Sequence, residues 1–199
     1  MKIALAGSAG TGRTTIARKL SEVIAHPSLT NLAKTILKDF GFQYGMGQTV
    51  EQFLCTPKRQ NMLFDNKSVM ESHYENFVTD RSWIDLAAYC IQGMHVDENF
   101  DITSYVENCK LEAEKYDVIV HIPWGRQPLT PDGTRTTNPW FQLIIDSIIF
   151  RLSGLWQIEL LSLPDNLDND ESVKWIVEKL KEINPELEVK EVDLILDEA

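Results

Sequence analysis

Residues 7–14 read Gly-Ser-Ala-Gly-Thr-Gly-Arg-Thr, and this stretch decides the fold because of what lies on either side of it. The apolar run Lys2–Ala6 before it is typical of a buried strand, and Arg13–Ala25 after it has apolar residues at helical spacing. A glycine-rich turn between a strand and a helix is the context that a phosphate-binding loop, or P-loop, requires. A turn that binds no ligand is the alternative, and the matching context favours the phosphate-binding loop.

The chemistry expected of this loop follows from its glycines and its hydroxyl groups. Gly7, Gly10 and Gly12 allow positive φ, so that several backbone N–H groups can point inward and surround an anion. The dipole of the helix that begins near Arg13 adds positive potential there, and Thr14 has a hydroxyl placed to ligate Mg²⁺. We therefore expect the loop to bind ATP and Mg²⁺. The expected nucleotide site consists of Gly7, Ser8, Ala9, Gly10, Thr11, Gly12, Arg13, Thr14 and Thr15.

One position of the loop departs from the common pattern GxxxxGK[ST], because Arg13 stands where that pattern has lysine. Lysine presents a compact charge between the β- and γ-phosphates, whereas arginine is planar and bulkier, so the exchange is not conservative. Arginine keeps the positive charge and can bind phosphate oxygens as a fork. We expect nucleotide binding to survive the exchange, and we leave open whether full turnover does.

A second set of polar residues, Thr79-Asp80-Arg81-Ser82, follows a short strand candidate at Glu75–Val78. The carboxyl ends of parallel strands are where such a sheet meets its ligand. Asp80 could hold a water molecule on Mg²⁺ or accept a proton from an attacking hydroxyl, and Arg81 could bind a phosphate or a substrate oxyanion. The alternative is an ion pair at a helix start with Ser82 as the cap. The nearby P-loop favours the functional interpretation.

The order of the elements along the chain indicates an α/β fold. Apolar strand-like runs alternate with amphipathic helical stretches, which predicts a central parallel sheet covered by helices on both faces. A length of 199 residues and a hydrophobic content of 43% suit one globular domain with a sizeable core, so we expect residues 1–199 to form one domain. Among the later elements we expect a capping box of Ser104 with Glu107 at a helix start, a helix beginning at Asn138-Pro139, and a strand at Leu155–Leu163.

Charge and cysteine content restrict the function classes. The net charge of -11 argues against non-specific binding to nucleic acid or to an anionic membrane, both of which need basic surface. The apolar run at Ile3–Ala6 is too short to span a bilayer, and we expect no membrane segment. The three cysteines are widely spaced and form no CxxC pair, which is typical of a reduced, cytoplasmic protein. The acidic residues 186–199 are expected to form a solvated edge.

Several short pieces of sequence stand in a characteristic order: Gly7–Thr14, Thr30–Lys34, Gly41-Phe42, Gln60, Glu71, Asp80–Ser82, Ile84-Asp85, Ala88-Tyr89, Tyr116–Pro123 and Asp132–Arg135. In that order the chain resembles the P-loop nucleoside and nucleotide kinases, most closely the ribosylnicotinamide-kinase-like ATPases, a group with many bacteriophage members. The resemblance spans about residues 1–180, and only its P-loop is specific by itself. It implies a three-layer P-loop NTPase fold with a lid. It also implies a protein that acts in the cytoplasm, or in the host cytoplasm if the source is viral.

The resemblance also implies roles in catalysis. Asp80 would be the catalytic or metal-linked carboxylate and would share Mg²⁺ with Thr14. Residues 124–138 would form a lid over the phosphates, whereas the alternative for this segment is a solvated connection. Arginines of the lid would stabilise the charge on the γ-phosphoryl group as it moves. The residues expected to act in catalysis are Arg13, Asp80, Arg126 and Arg135.

Two functional hypotheses follow, which differ in whether the protein transfers a phosphoryl group to an acceptor. Asn31, Asp80 and Arg81 are the candidate substrate contacts, although related sequences often have an acid in place of Asn31. The first hypothesis is an ATP-dependent phosphotransferase for a nucleoside, a (deoxy)nucleoside monophosphate or a similar small metabolite. The second is a nucleotide-binding module with weak or no kinase activity, which Arg13 and the acidic residues 186–199 motivate. A kinase for bases within DNA is disfavoured by the charge, and a homodimer is left open.

Overall fold

The computed structural model describes residues 1–30, 36–37, 39, 41–42, 50–94, 98–128 and 136–190. Its strands are β1 Lys2–Ala6, β2 Ser28–Leu29, β3 Phe77–Thr79, β4 Val118–His121 and β5 Leu161–Ser162. Its helices in the described ranges are α1 Arg13–Val23, α2 Val50–Leu54, α3 Pro57–Ser72, α4 Trp83–Met94, α5 Ile102–Ala113, α6 Pro139–Trp156 and α7 Asn169–Ile183. The strands form one sheet in the order β2-β3-β1-β4-β5, in which all neighbours are parallel.

Helices cover both faces of this sheet, as the alternating pattern predicts. Successive side chains of a strand point to opposite faces, and β1 follows this rule. Ala4 and Ala6 belong to a buried cluster that includes residues of α4, α5 and α6. Ile3 and Leu5 belong to a second cluster with residues of α1 and α7. The predicted three-layer α/β fold with a central parallel sheet is therefore confirmed.

The strand order brings three loops together at one edge of the sheet. β1 lies between β3 and β4, with Ala4 paired to Thr79 and Ala6 paired to His121. Because these strands are parallel, the segments that follow them leave the sheet on the same side. The glycine-rich loop after β1 therefore lies next to the Asp80 turn after β3 and next to the segment that follows β4.

The predicted strand at Leu155–Leu163 is wrong over most of its length. The helix α6 continues through Trp156 and ends where Gln157 adopts a left-handed φ of 58°. Only Leu161–Ser162 pairs with β4. The last turn of an amphipathic helix and a short strand adjoin here, and an apolar run does not by itself distinguish the two.

The start of α5 also differs from the prediction, whereas that of α6 is confirmed. The side chain of Asp101 accepts the N–H of Ser104 at 3.0 Å, so Asp101 is the N-cap and the expected capping box with Glu107 is wrong. Aspartate caps a helix as well as serine does, and its earlier position lengthens α5. The side chain of Asn138 accepts the N–H of Trp140, with Pro139 at the first helical position. None of the described helices has the length and apolar character needed to cross a bilayer.

Candidate nucleotide site

Residues 7–12 form the tight turn that the sequence predicts between β1 and α1, and Arg13 and Thr14 begin α1. Gly7 has a φ of 148° and Gly12 a φ of 85°, which residues with side chains rarely adopt. A Cβ at Gly7 would lie 2.5 Å from the carbonyl oxygen of Ile122, because the chain after β4 passes directly beside the loop. The carbonyl of Gly12 accepts the N–H groups of Thr15 and Ile16 and so starts α1. The loop thus places successive N–H groups at a helix N-terminus, an arrangement that suits anions.

Arg13 points into the protein rather than into solvent. Its side chain is 7% exposed, and its Nη1 forms an ion pair with Oδ1 of Asp85, which is 0% exposed. Asp85 also accepts the N–H of Gly7 at 3.1 Å, and the N–H and hydroxyl of Ser82 at 2.8 and 2.5 Å. Since Asp85 lies in the first turn of α4, its carboxylate joins the P-loop to the start of that helix. The sequence pattern gave no signal for this contact, because it does not show which carboxylate faces Arg13.

Thr14 and Asp80, the predicted metal pair, are brought together. The hydroxyl of Thr14 donates to Oδ2 of Asp80 at 2.8 Å, and Thr14 is exposed while Asp80 is half-buried. A hydroxyl and a carboxylate are hard oxygen ligands, and Mg²⁺ prefers one or two such ligands together with water and phosphate oxygens. No cluster of three or more His, Cys, Asp and Glu residues suited to a metal occurs among the described residues. The donor set therefore fits a magnesium ion that is shared with nucleotide phosphates.

Arg81 lies beside the apex of the P-loop. Its guanidinium carbon is 5.0 Å from the centroid of the Tyr89 ring, within range of a cation–π contact. The hydroxyl of Tyr89 accepts the N–H of Ala9 at 3.0 Å. A positive charge is thus held next to the loop on the side of β3, where the sequence predicts the substrate.

The turn that carries Asp80 is fixed from behind by a buried lysine. Lys67 in α3 is 1% exposed and forms an ion pair with Glu71. Its Nζ also donates to the carbonyl oxygen of Arg81 at 2.6 Å and to the hydroxyl of Thr79 at 3.3 Å. Because Thr79 and Arg81 flank Asp80, Lys67 restricts the backbone on both sides of the predicted catalytic carboxylate. Sequence reasoning missed Lys67, since an (i, i+4) Lys–Glu pair usually lies on a solvated helix face.

Two further donors complete this buried network around Glu71. The indole N–H of Trp83 donates to Oε2 at 2.8 Å, and the hydroxyl of Tyr116 donates to Oε1 at 2.9 Å. Burial, and after it the neighbouring carboxylate of Glu71, raise the pKa of Tyr116 well above its usual value. Tyr116 therefore remains a neutral donor, and the carboxylate is compensated by the Lys67 ammonium and by hydrogen bonds.

Arg126, at the root of the predicted lid, is turned toward the start of α7. Its Nη2 donates to the carbonyl oxygen of Leu167 and to the hydroxyl of Ser172, the latter at 2.8 Å. Burial lowers the pKa of Arg126, while the nearby carboxylates of Asp165 and Asp168 oppose that shift. Its Nε and Nη1 are buried and have no hydrogen-bond partner among the described residues. The described contacts of Arg126 are thus with the start of α7 and not with the phosphate loop.

The beginning of the predicted lid, Trp124–Pro128, also covers the start of α1 and borders a cavity. Gln127 donates to the side chain of Asn169 at 3.1 Å, and a Cβ at Gly12 would lie 3.0 Å from Oδ1 of Asn169. A cavity of about 310 Å³ lies between the P-loop apex and this segment, and its lining includes Trp124 and Pro139. The remaining predicted site residues, Asn31 and Arg135, and the middle of the predicted lid at residues 129–135, lie outside the described residues.

Comparison with known proteins adds a family and a set of similar folds. Residues 2–150 match the model of a family described as an AAA domain. No curated protein sequence matches the chain.

Solved structures share the fold at low sequence identity. A deoxyadenosine kinase from M. mycoides with the products dCMP and dCDP bound is 15% identical, with a TM-score of 0.60 over 92% of this chain and 100% of that chain. The YorR protein of Bacillus subtilis, in complex with phosphorylated GDP, is 13% identical, with a TM-score of 0.57 over 90% and 95%. The NadR protein in complex with NR is 17% identical, with a TM-score of 0.64 over 96% of this chain and 52% of that chain. The expected P-loop nucleoside and nucleotide kinase fold is thereby confirmed.

Proposed function

We propose, from the premise that this chain belongs to the AAA-domain family, that it is an ATP-dependent phosphotransferase for a nucleoside, a (deoxy)nucleoside monophosphate or a similar small metabolite. One observation carries the proposal: the hydroxyl of Thr14 and the carboxylate of Asp80 meet at 2.8 Å at the mouth of the glycine-rich loop. Phosphoryl transfer needs a group that positions a metal or accepts a proton beside the phosphates, and this carboxylate lies where it can do either. Similarity in fold to deoxyadenosine kinase gives further support.

The proposed reaction relies on positioning and on charge neutralisation. The N–H groups of residues 7–14 other than those of Gly7 and Ala9, which Asp85 and Tyr89 accept, would bind the phosphates of ATP together with the guanidinium of Arg13. Thr14 and Asp80 would hold Mg²⁺, which, when bound, neutralises charge on the β- and γ-phosphates. The γ-phosphoryl group passes from ATP to an acceptor hydroxyl: the bond from the γ-phosphorus to the β,γ-bridging oxygen breaks, ADP leaves, and the hydroxyl loses its proton. Asp80 either accepts that proton or acts through the metal.

Acceptor-dependent release of ADP tests this proposal. The protein is incubated with Mg-ATP and a panel of nucleosides and nucleoside monophosphates, and mass spectrometry identifies the phosphorylated product. Asp80→Asn is expected to lower kcat by about 100-fold or more, as removal of an acid–base or metal-positioning carboxylate does. Asp65→Asn, on the exposed side of α3, is the matched control and is expected to leave kcat unchanged. Absence of acceptor-dependent ADP across the panel would contradict the kinase.

The second candidate is a nucleotide-binding module with weak or no kinase activity. One observation favours it: the P-loop arginine forms an ion pair with the buried Asp85. Arg13→Lys separates the candidates, because a large gain in turnover would indicate that the natural arginine suppresses chemistry. A phosphorylated acceptor made by the natural protein at a rate of about 1 s⁻¹ or more, which is within the usual range for kinases, would exclude this module.

A further inference from the structure

The guanidinium of Arg13 is held by α4 as well as by the loop to which it belongs. The aliphatic part of Arg13 passes the loop's first residue, with Cδ 3.6 Å from the position that a Cβ on Gly7 would occupy. Its Nη1 then meets Oδ1 of Asp85, and both side chains are almost fully buried. The place of this cation is therefore set by a residue that lies 72 positions later in the chain.

Asp85 is itself held in one orientation. Its Oδ1 accepts the N–H of Gly7 and the Nη1 of Arg13, and its Oδ2 accepts the N–H and the hydroxyl of Ser82. With both oxygens engaged, the carboxylate cannot rotate without losing hydrogen bonds in a buried site, which is costly. A rigid acceptor thus fixes one nitrogen of the guanidinium beneath the loop.

Arginine and lysine differ in the number of N–H donors that stay available for a phosphate after one nitrogen has bound such a carboxylate. A guanidinium distributes five N–H donors over three nitrogens in one plane, so one nitrogen can serve a carboxylate while the others serve a phosphate. The ammonium of lysine has its three donors on one atom, and a close buried carboxylate would hold that atom. Beside Asp85, arginine can bind the carboxylate and a phosphate at the same time, whereas the single nitrogen of lysine binds one at the expense of the other.

We propose that Asp85 is a positioning residue for Arg13. It holds one nitrogen of the guanidinium so that the remaining donors face the phosphates bound in the loop, and its presence is the reason that this loop needs arginine rather than lysine. Arg13 and Asp85 thus act as one unit in place of the usual single lysine. This inference rests on the proposed function, because its ligand is the polyphosphate of a nucleotide.

The test is a double-mutant cycle on the binding of ADP with Mg²⁺, measured by calorimetry. Asp85→Asn is expected to weaken binding about tenfold when Arg13 is present, because the guanidinium loses its anchor. Arg13→Lys is expected to weaken binding by about tenfold or more, because Asp85 retains the ammonium. Combining both changes is expected to bind ADP more tightly than Arg13→Lys alone. A residue that only supported the fold would weaken binding in both backgrounds, so this reversal of sign is specific to positioning.

Asp101→Asn is the matched control. Asp101 accepts the N–H and hydroxyl of Ser104 as Asp85 accepts those of Ser82, but it is exposed at the start of α5. It is expected to leave ADP binding unchanged. If Asp85→Asn unfolds below the assay temperature, Ser82→Ala takes its place, since it removes one hydrogen bond to Asp85 and keeps the charge. It is expected to weaken binding about threefold with arginine at position 13 and not with lysine.

Two results would overturn the inference while the proposed function stands. The first is equal weakening by Asp85→Asn in the arginine and lysine backgrounds, and the second is an Arg13→Lys variant that binds ADP as tightly as the natural protein. A natural protein that binds no nucleotide would instead overturn the proposed function together with this inference. A kinase that binds ADP but lacks coupling between the two positions would remove only the role of Asp85.

Discussion

Replacing Gly7 by alanine tests whether the backbone of the P-loop is as constrained as the structure indicates. At a φ of 148° an alanine is strained, which costs about 1–3 kcal/mol. Its Cβ would also lie 2.5 Å from the carbonyl oxygen of Ile122, where ordinary contact needs more than about 3.4 Å, and relief of such overpacking costs about 1–3 kcal/mol. We therefore expect Gly7→Ala to lower the free energy of unfolding by about 2–6 kcal/mol, a large part of the stability of a typical domain.

Urea denaturation, monitored through tryptophan fluorescence, measures this change in the free energy of unfolding. The buried Trp83 should report the loss of tertiary structure. Gly154→Ala is the matched control, because a Cβ at Gly154 meets no atom within 4 Å and the position is helical. This control is expected to raise stability by up to about 1 kcal/mol, as glycine-to-alanine exchange in a helix does. A loss of less than about 1 kcal/mol for Gly7→Ala would refute the described path of the chain beside β4.

Two further predictions concern the buried groups around the site. Lys67→Met should lower the free energy of unfolding by about 3–5 kcal/mol, since it leaves the buried carboxylate of Glu71 without its cation. Lys115→Met, which removes the cation of an exposed pair, should lower it by less than about 1 kcal/mol. If urea denaturation gives similar losses for the two variants, the burial of the Lys67–Glu71 pair is contradicted. Burial raises the pKa of Cys90 to about 12 and also raises that of Cys109, so iodoacetamide at about pH 8 should label both thiols only after unfolding. Rapid labelling of both in the folded protein, detected by peptide mass spectrometry, would argue against this packing.

Local patterns predicted part of this fold better than the rest. The turn after β1 and the start of α6 at Asn138 were predictable, because glycine conformations and helix caps depend on a few neighbouring residues. The strand expected at Leu155–Leu163 failed, because an apolar stretch fits the end of a helix as well as a strand. Glu107 failed as part of a helix cap, because Asp101 competes for the same backbone N–H group. Both errors arose where more than one local solution was available.

The sequence alone determined the glycine-rich turn and the parallel α/β fold, since residues 2–14 combine a strand, a glycine turn and a helix start within one short segment. Only the tertiary structure decided which distant side chains meet that loop. The register of β1 against β3 brings Asp80 to Thr14, and the position of α4 brings Asp85 to Arg13. These contacts join residues more than 60 positions apart, so they depend on how strands and helices pack and not on local preference.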